Sequence, residues 1–533
     1  MAQVNFFNKR GVRAVYALFV TSLSILIVNS YEFGVHDHWY MLPWIKNLQD
    51  GSLFSIDLIT NQRQYHYSIL YPLLAYSPLS LAASFFIIYV LCLASLFYMA
   101  MATHKLFSSQ WLYLTPLFLV LPWYTPGGTF TIASHLLMRT AGLPLLLVSL
   151  YFHLKEKHLF AWLILGLAFW VHPTTALYLA TFFGLELLIS SRRRLLKNWL
   201  AILPFILLCL PIFYKKFNAP ETGFPGFWAD DYWLETIRIR SAHHAFPDSW
   251  HRSHILSAAA MLALLFMFAV LEPVKKLKQF FTATLLGFTL IVSAGLIFTY
   301  WLPAFSAIQI QPFRVVRLVM IFTLLFTPIF FSKIQFKGKQ KIAIGFCLLV
   351  LCFAGQQQSK LHFFYFFAFS GLIVLLFLWP KQSKRISFLA LVPLFILLAN
   401  KPIEKLIIQE PEPLKTQAEL YSWVQKNSSA QSLWVVPAKL LYFRNYTQRN
   451  VYVAWYDGTF GYFDYNYNSL WRQRYTKVYG VFDYDANEPL FEKAEWPMDA
   501  LIKNNPAYLV KTKPLASQEN LLWQNEHYFI YRL

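Results

Sequence analysis

The sequence predicts an α-helical polytopic membrane protein of about thirteen transmembrane helices that ends in a small C-terminal α/β domain. Three observations predict it: an apolar composition, an alternation of positively charged segments along the chain, and a change of pattern after residue 400.

Of 533 residues, 57% are hydrophobic, 19% aromatic and only 14% charged. A soluble domain carries about a quarter charged residues, so most of this chain is solvated by lipid. The excess of 46 Lys and Arg over 26 Asp and Glu falls in short runs between apolar segments. That distribution is a topology signal, and it excludes a nucleic-acid groove binder. Cys92, Cys209, Cys347 and Cys352 all lie in apolar segments without paired spacing, so neither a disulfide nor a thiolate metal site is expected.

A span needs about 20 mostly apolar residues. Candidate spans start near residues 12, 80, 111, 136, 159, 174, 198, 256, 281, 315, 342, 363 and 386. The first, AVYALFVTSLSILIV, lacks a small-residue cleavage site and reads as a retained span rather than a signal peptide. With the N-terminus in the cytoplasm, the inside segments collect Lys9, Arg10 and Arg13, then Lys105, Lys155 and Lys157, then Arg192 to Arg194 and Lys197, then Lys275, Lys276 and Lys278. Lys333 to Lys341 and Lys381 to Arg385 complete the series, as the positive-inside rule requires.

An odd number of spans puts the C-terminal domain outside. The expected division is a transmembrane domain over 1–400, with outer loops at 31–79 and 215–255, and a soluble domain over 401–533. In the latter, PLKTQAELYSWVQKN has a helical pattern, SLWVVP, NVYVAWY and AYLVKT read as strands, and NLLWQNEHYFIYRL reads as a hairpin.

Polar chemistry concentrates on the outer side, where eleven of the 14 histidines map. Loop one carries His36, Asp37 and His38 ahead of a helix with Met41, Leu42, Trp44, Ile45 and Leu48 on an apolar side, expected to lie flat on the membrane. Two tasks are open to Asp37: capping that helix, or catalysis. The loop before the span near 256 carries Arg240, His243 and His244 as an Arg-x-x-His-His unit, donors suited to a phosphate. Arg139, His172, Arg314 and Arg317 stand at outer span ends, and the three arginines run against the positive-inside trend. That pattern points to an anionic ligand.

With these spans, an acidic loop one and an outer C-terminal domain, the whole chain resembles the GT-C superfamily of integral membrane glycosyltransferases, the oligosaccharyltransferase catalytic subunit being the architectural model. Locally it resembles bacterial polytopic membrane proteins of GT-C type, through Arg240 to His244, His172-Pro173 and Gln311-Pro312-Phe313-Arg314. The resemblance implies transfer of a sugar from a polyprenyl-phosphate-linked donor to a glycan, lipid or protein acceptor on the outer face of the bacterial inner membrane. It implies Asp37 as the catalytic carboxylate, acting as general base or, with His36 and His38, holding a divalent cation such as Mg or Mn. Arg139, His172, Arg240, His243, His244, Arg314 and Arg317 are then the candidates for the donor phosphate, and envelope-assembly proteins are candidate partners. The Trp-Trp-Asp-Tyr-Gly signature of the oligosaccharyltransferase is absent, Trp455-Tyr456-Asp457-Gly458 being the nearest string, so protein N-glycosylation is not carried over.

Two other classes fit the composition. A transporter or flippase of a lipid-linked glycan predicts charges in mid-span and broken helices in related halves; the spans carry few such charges and show no repeat. A non-catalytic scaffold of an envelope glycan machine would keep the shape alone.

Overall fold

The structure, a computed structural model, describes residues 10–60, 68–121, 123–190, 199–217, 227–333, 411–480, 482, 491 and 507–533. The expected spans near 342, 363 and 386, together with His66, His362, Cys347 and Cys352, lie outside the described residues. The chain divides into two compact units. Unit 1 comprises Met1–Tyr31, Phe86–Tyr214 and His243–Leu406, and unit 2 comprises Glu32–Phe85, Lys215–Ala242 and Ile407–Leu533.

Among the described residues, Leu81–Lys105, Pro173–Ser190, Arg252–Leu271, Lys275–Trp301 and Phe305–Lys333 are helices long and apolar enough to cross a membrane. This is a multi-pass membrane protein. Met138–Leu154, His158–Val171 and Leu203–Phe217 form shorter apolar helices at expected positions, and Arg10–Leu23 continues through a π-helical turn, Ser24–Val28.

The candidate span near 111 folds differently. A left-handed Trp111 and a 3-10 turn over Leu112–Leu114 leave an α-helix of Thr115–Val120 only. Those nine residues rise about 15 Å, half of a bilayer core. Leu121 is extended and leads into a hairpin of β1 (Tyr124–Thr125) and β2 (Thr129–Phe130).

In unit 1 every residue from Val315 to Phe331 is buried, which makes Val315–Lys333 its central helix. Phe330 meets Phe268 at 4.5 Å and Phe326 meets Phe281 at 5.0 Å, so aromatic rings bind it to Arg252–Leu271 and Lys275–Leu296.

Charge separates sharply between the units. Unit 1 holds 27 Lys and Arg against 5 Asp and Glu, a net charge of +22, and unit 2 holds 19 against 21, a net charge of −2. The carboxylates described in unit 1 are already engaged: Glu156 with Lys276 at 3.1 Å, Glu186 with His153 at 3.1 Å, Glu272 with Lys333 at 3.0 Å, and Asp248 with the Tyr300 hydroxyl at 2.5 Å.

Unit 2 is built on a five-stranded sheet in the order β4-β3-β5-β7-β6, where β3 is Leu433–Val435, β4 Asn450–Val451, β5 Ala507–Lys511, β6 Leu521–Gln524 and β7 Phe529–Arg532. β3 runs parallel to β4 and β5, and the expected terminal hairpin forms as antiparallel β6 and β7. Helix Lys415–Asn427 buries Leu420, Tyr421 and Val424 against Trp434, Val451, Val510 and Ile530. The run NVYVAWY is a strand only at Asn450–Val451 and then turns into the 3-10 helix Trp455–Tyr462. Gly458 permits this, because a Cβ there would lie 2.4 Å from the Trp471 ring.

The His38–Gln49 helix departs from the expected surface-lying amphipath, since all residues from His38 to Ile45 are buried. Trp44 donates to the Ile59 carbonyl at 2.7 Å and packs on Phe460 at 4.8 Å. Large aromatic residues on several sides of this helix are satisfied by the rest of unit 2, not by lipid.

An ion cluster fixes loop one to the C-terminal segment. Arg444, 3% exposed, donates Nε to Asp57 at 2.8 Å and both Nη groups to Asp457 at 2.8 Å each. Asp57 also accepts from Val451 N–H at 2.8 Å and Asp457 from Ala454 N–H at 2.7 Å. Burial alone would pull the Arg444 pKa down, but Asp457 and Asp57 outweigh it and hold the guanidinium charged. Replacing Arg444 by Met strands two buried carboxylates, and unfolding of unit 2 is expected to become easier by about 3–5 kcal/mol. Chemical denaturation followed by tryptophan fluorescence checks this; an unchanged midpoint would remove the cluster from any role in stability.

Candidate functional site

The basic residues singled out in unit 1 gather around the β1–β2 hairpin. Thr125 Oγ1 donates to the Thr129 carbonyl at 2.7 Å, and Gly128 N–H donates to the Thr125 carbonyl at 3.1 Å, closing a tight turn of Pro126, Gly127 and Gly128. Arg317, 3% exposed on the central helix, donates Nε to the Phe130 carbonyl and Nη2 to the Thr131 carbonyl, both at 2.8 Å. The hairpin backbone therefore solvates a buried arginine.

At the tip, a Cβ on Gly127 would lie 3.5 Å from Arg314 Cγ, and one on Gly128 would lie 2.2 Å from His243 Cδ2. Gly128 also has φ +69°, a left-handed conformation that favours glycine. The His243 and His244 rings are 3.8 Å apart. Arg314 Nη2 lies 2.5 Å from His244 Nε2, while His244 Nδ1 lies 3.2 Å from the Gly127 carbonyl. Arg314 Nη2 also lies 3.0 Å from His244 Nδ1, so the guanidinium stands against the whole imidazole ring.

Burial, then Arg314, then His243 hold the His244 pKa well below the usual imidazole value. The other charge acting on His244 is Arg139, and those acting on Arg317 are Arg139 and Arg314. Arg139, Arg314 and Arg317 are thus the cations of this group, and they act together against protonation of His244, with His243 beside it. Two backbone devices aim it. Tyr178 donates to the Gln311 carbonyl at 2.6 Å, beside a left-handed Gln311 with φ +55°, and Trp250 Nε1 donates to the His243 carbonyl at 2.9 Å.

The remaining candidates stand elsewhere. His172 follows helix His158–Val171, and its Nδ1 accepts from Thr175 N–H at 3.4 Å and lies 2.9 Å from Thr175 Oγ1, so it caps the helix that begins at Pro173. The Arg-x-x-His-His unit spans the boundary between the two units in the chain. Its helix, Asp231–Ala245, breaks at Ser241, and Arg240 belongs to unit 2. There Arg240 donates to the Trp455 carbonyl and Thr459 Oγ1, each at 3.0 Å, with its guanidinium carbon 4.9 Å from the Tyr456 ring centre.

Asp37, half-buried in unit 2, occupies the N-cap of His38–Gln49 without a side-chain capping bond. Its charge reaches Tyr71, whose pKa is raised well above its usual value by burial first, then by Tyr40 and Asp37. His36 has φ +50° and lies 3.7 Å from Glu32. His38 is buried, and its Nδ1 accepts from Gly34 N–H at 3.0 Å. Among the described residues no three His, Cys, Asp or Glu side chains are grouped to hold a metal ion.

No protein-family model matches the chain, and no curated protein matches it. Among solved structures it is similar to two of ArnT from Cupriavidus metallidurans. The crystal structure bound to undecaprenyl phosphate is 11% identical, with a TM-score of 0.49 over 99% of this chain and 98% of that one. The apo structure is 11% identical, with a TM-score of 0.46 over 100% and 98%. Likeness at this level carries no inference about activity or site residues.

Sequence reasoning missed the hairpin, although Pro-Gly-Gly between apolar runs is a turn signal. Gly128→Val is expected to lower stability by about 1–3 kcal/mol through backbone strain and displacement of His243, whereas Gly127→Ala, at ordinary contact distance, should be near neutral. Thermal unfolding of the two variants in detergent decides; equal midpoints would sink the account of the tip.

His244 also sets a pH dependence. Its folded pKa lies below the value of about 6.5 in an unfolded chain, so the unfolded state takes up the proton first. Its contribution is therefore absent above about pH 6.5 and destabilises the fold as pH drops below that value. His244→Gln should flatten the fall in melting temperature between pH 7 and pH 5, and an unaltered slope would rule it out.

Proposed function

We propose that the protein is a GT-C-type glycosyltransferase that moves a sugar from a polyprenyl-phosphate-linked donor to an acceptor on the outer face of the inner membrane, N-terminus inside and C-terminal segment outside. The observation that carries this reading is the gathering of three arginines, Arg139, Arg314 and Arg317, with His243 and His244 in an apolar unit of net charge +22. A lipid phosphate meets both demands of such a place, an anion for the cationic head and an apolar tail for the surroundings.

In the proposed reaction the acceptor oxygen bonds to the anomeric carbon as the bond from that carbon to the phosphate oxygen breaks. Charge builds on the departing lipid phosphate, and fixed Arg and His donors stabilise it without solvent reorganisation. Asp37 takes the proton from the acceptor hydroxyl. Asp37 stands half-buried in loop one, immediately before helix His38–Gln49.

Asp37→Asn keeps the shape and removes the base. Product formation from a radiolabelled lipid-linked sugar should fall by about 100-fold or more, while melting temperature and donor-lipid binding stay within error. Full turnover by that variant would remove Asp37 from the chemistry, and failure of Arg314→Gln to weaken donor binding would remove the phosphate site.

A further inference from the structure

Unit 1 holds a further buried arginine, Arg13, apart from those around the hairpin. Arg13 sits one turn into helix Arg10–Leu23 and is 8% exposed, so it does not snorkel into water. Its guanidinium carbon lies 5.7 Å from the centre of the Tyr98 ring, and its charge reaches both Lys105 and the Tyr113 phenol. The position is fixed. Tyr16, one turn further along, donates to the Tyr113 carbonyl at 2.9 Å and meets the Tyr113 ring edge-on at 4.8 Å.

Among the described residues Arg13 Nε has no hydrogen-bond partner. The sequence around it offers no anion either: residues 1–31, 58–155 and 273–403 contain neither Asp nor Glu. A guanidinium held out of water beside a second cation is costly unless an anion joins it.

We infer that Arg13 and Lys105, with Tyr98 and Tyr113, form a binding site for the phosphate of an anionic phospholipid. The charge pattern assigns this end of the helices to the cytoplasm, so the site is distinct from the proposed donor site and independent of it. Leu91, exposed two turns before Tyr98 on the same face of Leu81–Lys105, gives an acyl chain an apolar contact, which a free phosphate would not use. The lipid phosphate meets the Arg13 guanidinium on the side of Tyr98 and Lys105.

The test uses the full-length protein, delipidated in detergent. Phosphatidylglycerol should raise its melting temperature, whereas phosphatidylcholine and inorganic phosphate at the same concentrations should not. By native mass spectrometry, Arg13→Gln should weaken phosphatidylglycerol binding about tenfold, the loss of one charged hydrogen-bonding partner. Lys105→Gln, at a half-buried position, should weaken it in the same direction and keeps the test open if Arg13→Gln does not fold. Undiminished phosphatidylglycerol binding by the folded variants would overturn the site. Equal effects of phosphatidylcholine would make it a general lipid contact, and a shift with inorganic phosphate alone would make it a soluble-anion site; either overturns the assignment.

Discussion

A scarcity of carboxylates inside an apolar, lipid-facing unit is the constraint on which the rest depends. Charge removed from water must find an opposite charge, a set of dipoles or a ligand. In unit 1 the described carboxylates are engaged with Lys276, His153, Lys333 and Tyr300, and they leave most of the cations to other solutions. Arg317 illustrates one of them. It is dissolved by two carbonyls of a hairpin, and that hairpin in turn places Gly127 and Gly128 beneath Arg314 and His243. The device that solvates one arginine thereby orients the others.

Unit 2 solves the same problem in the opposite way. Arg444 is as buried as Arg317, but it has two carboxylates, Asp57 from loop one and Asp457 from the C-terminal segment, and backbone N–H groups complete the acceptors. A fully satisfied cluster of this kind is a fixed joint and has no need of a ligand. Arg240 is likewise held on the Trp455–Tyr462 helix by a carbonyl, a hydroxyl and aromatic faces. The contrast lies in what meets each buried guanidinium: two carboxylates for Arg444, two backbone carbonyls for Arg317.

Much of the candidate site was legible as residues and little of it as geometry. Arg139, His243, His244, Arg314 and Arg317 stood out because they oppose the positive-inside trend or cluster in an outer loop, and the structure brings these five into one electrostatic group. His172 and Arg240 carried the same kind of signal, yet they turn out to cap a helix and to clasp an aromatic 3-10 turn. A linear motif records which side chains are close along the chain, and a break at Ser241 is enough to send Arg240 and His243 to different partners.

By itself, the sequence determined the membrane class, most of the apolar helices among the described residues, and the strands and terminal hairpin of the C-terminal segment. These follow from local quantities, namely hydropathy over about 20 residues and an alternation of period two, that need no knowledge of neighbours. Only the tertiary structure decided that the segment near 111 stops as a nine-residue helix, that the loop-one helix is buried on all sides, and which arginines have carboxylates beside them. Those outcomes depend on what lies across space from each residue. Burial and electrostatic energy are properties of pairs and surroundings, and residues as far apart as Asp57 and Arg444 become neighbours only when the chain folds.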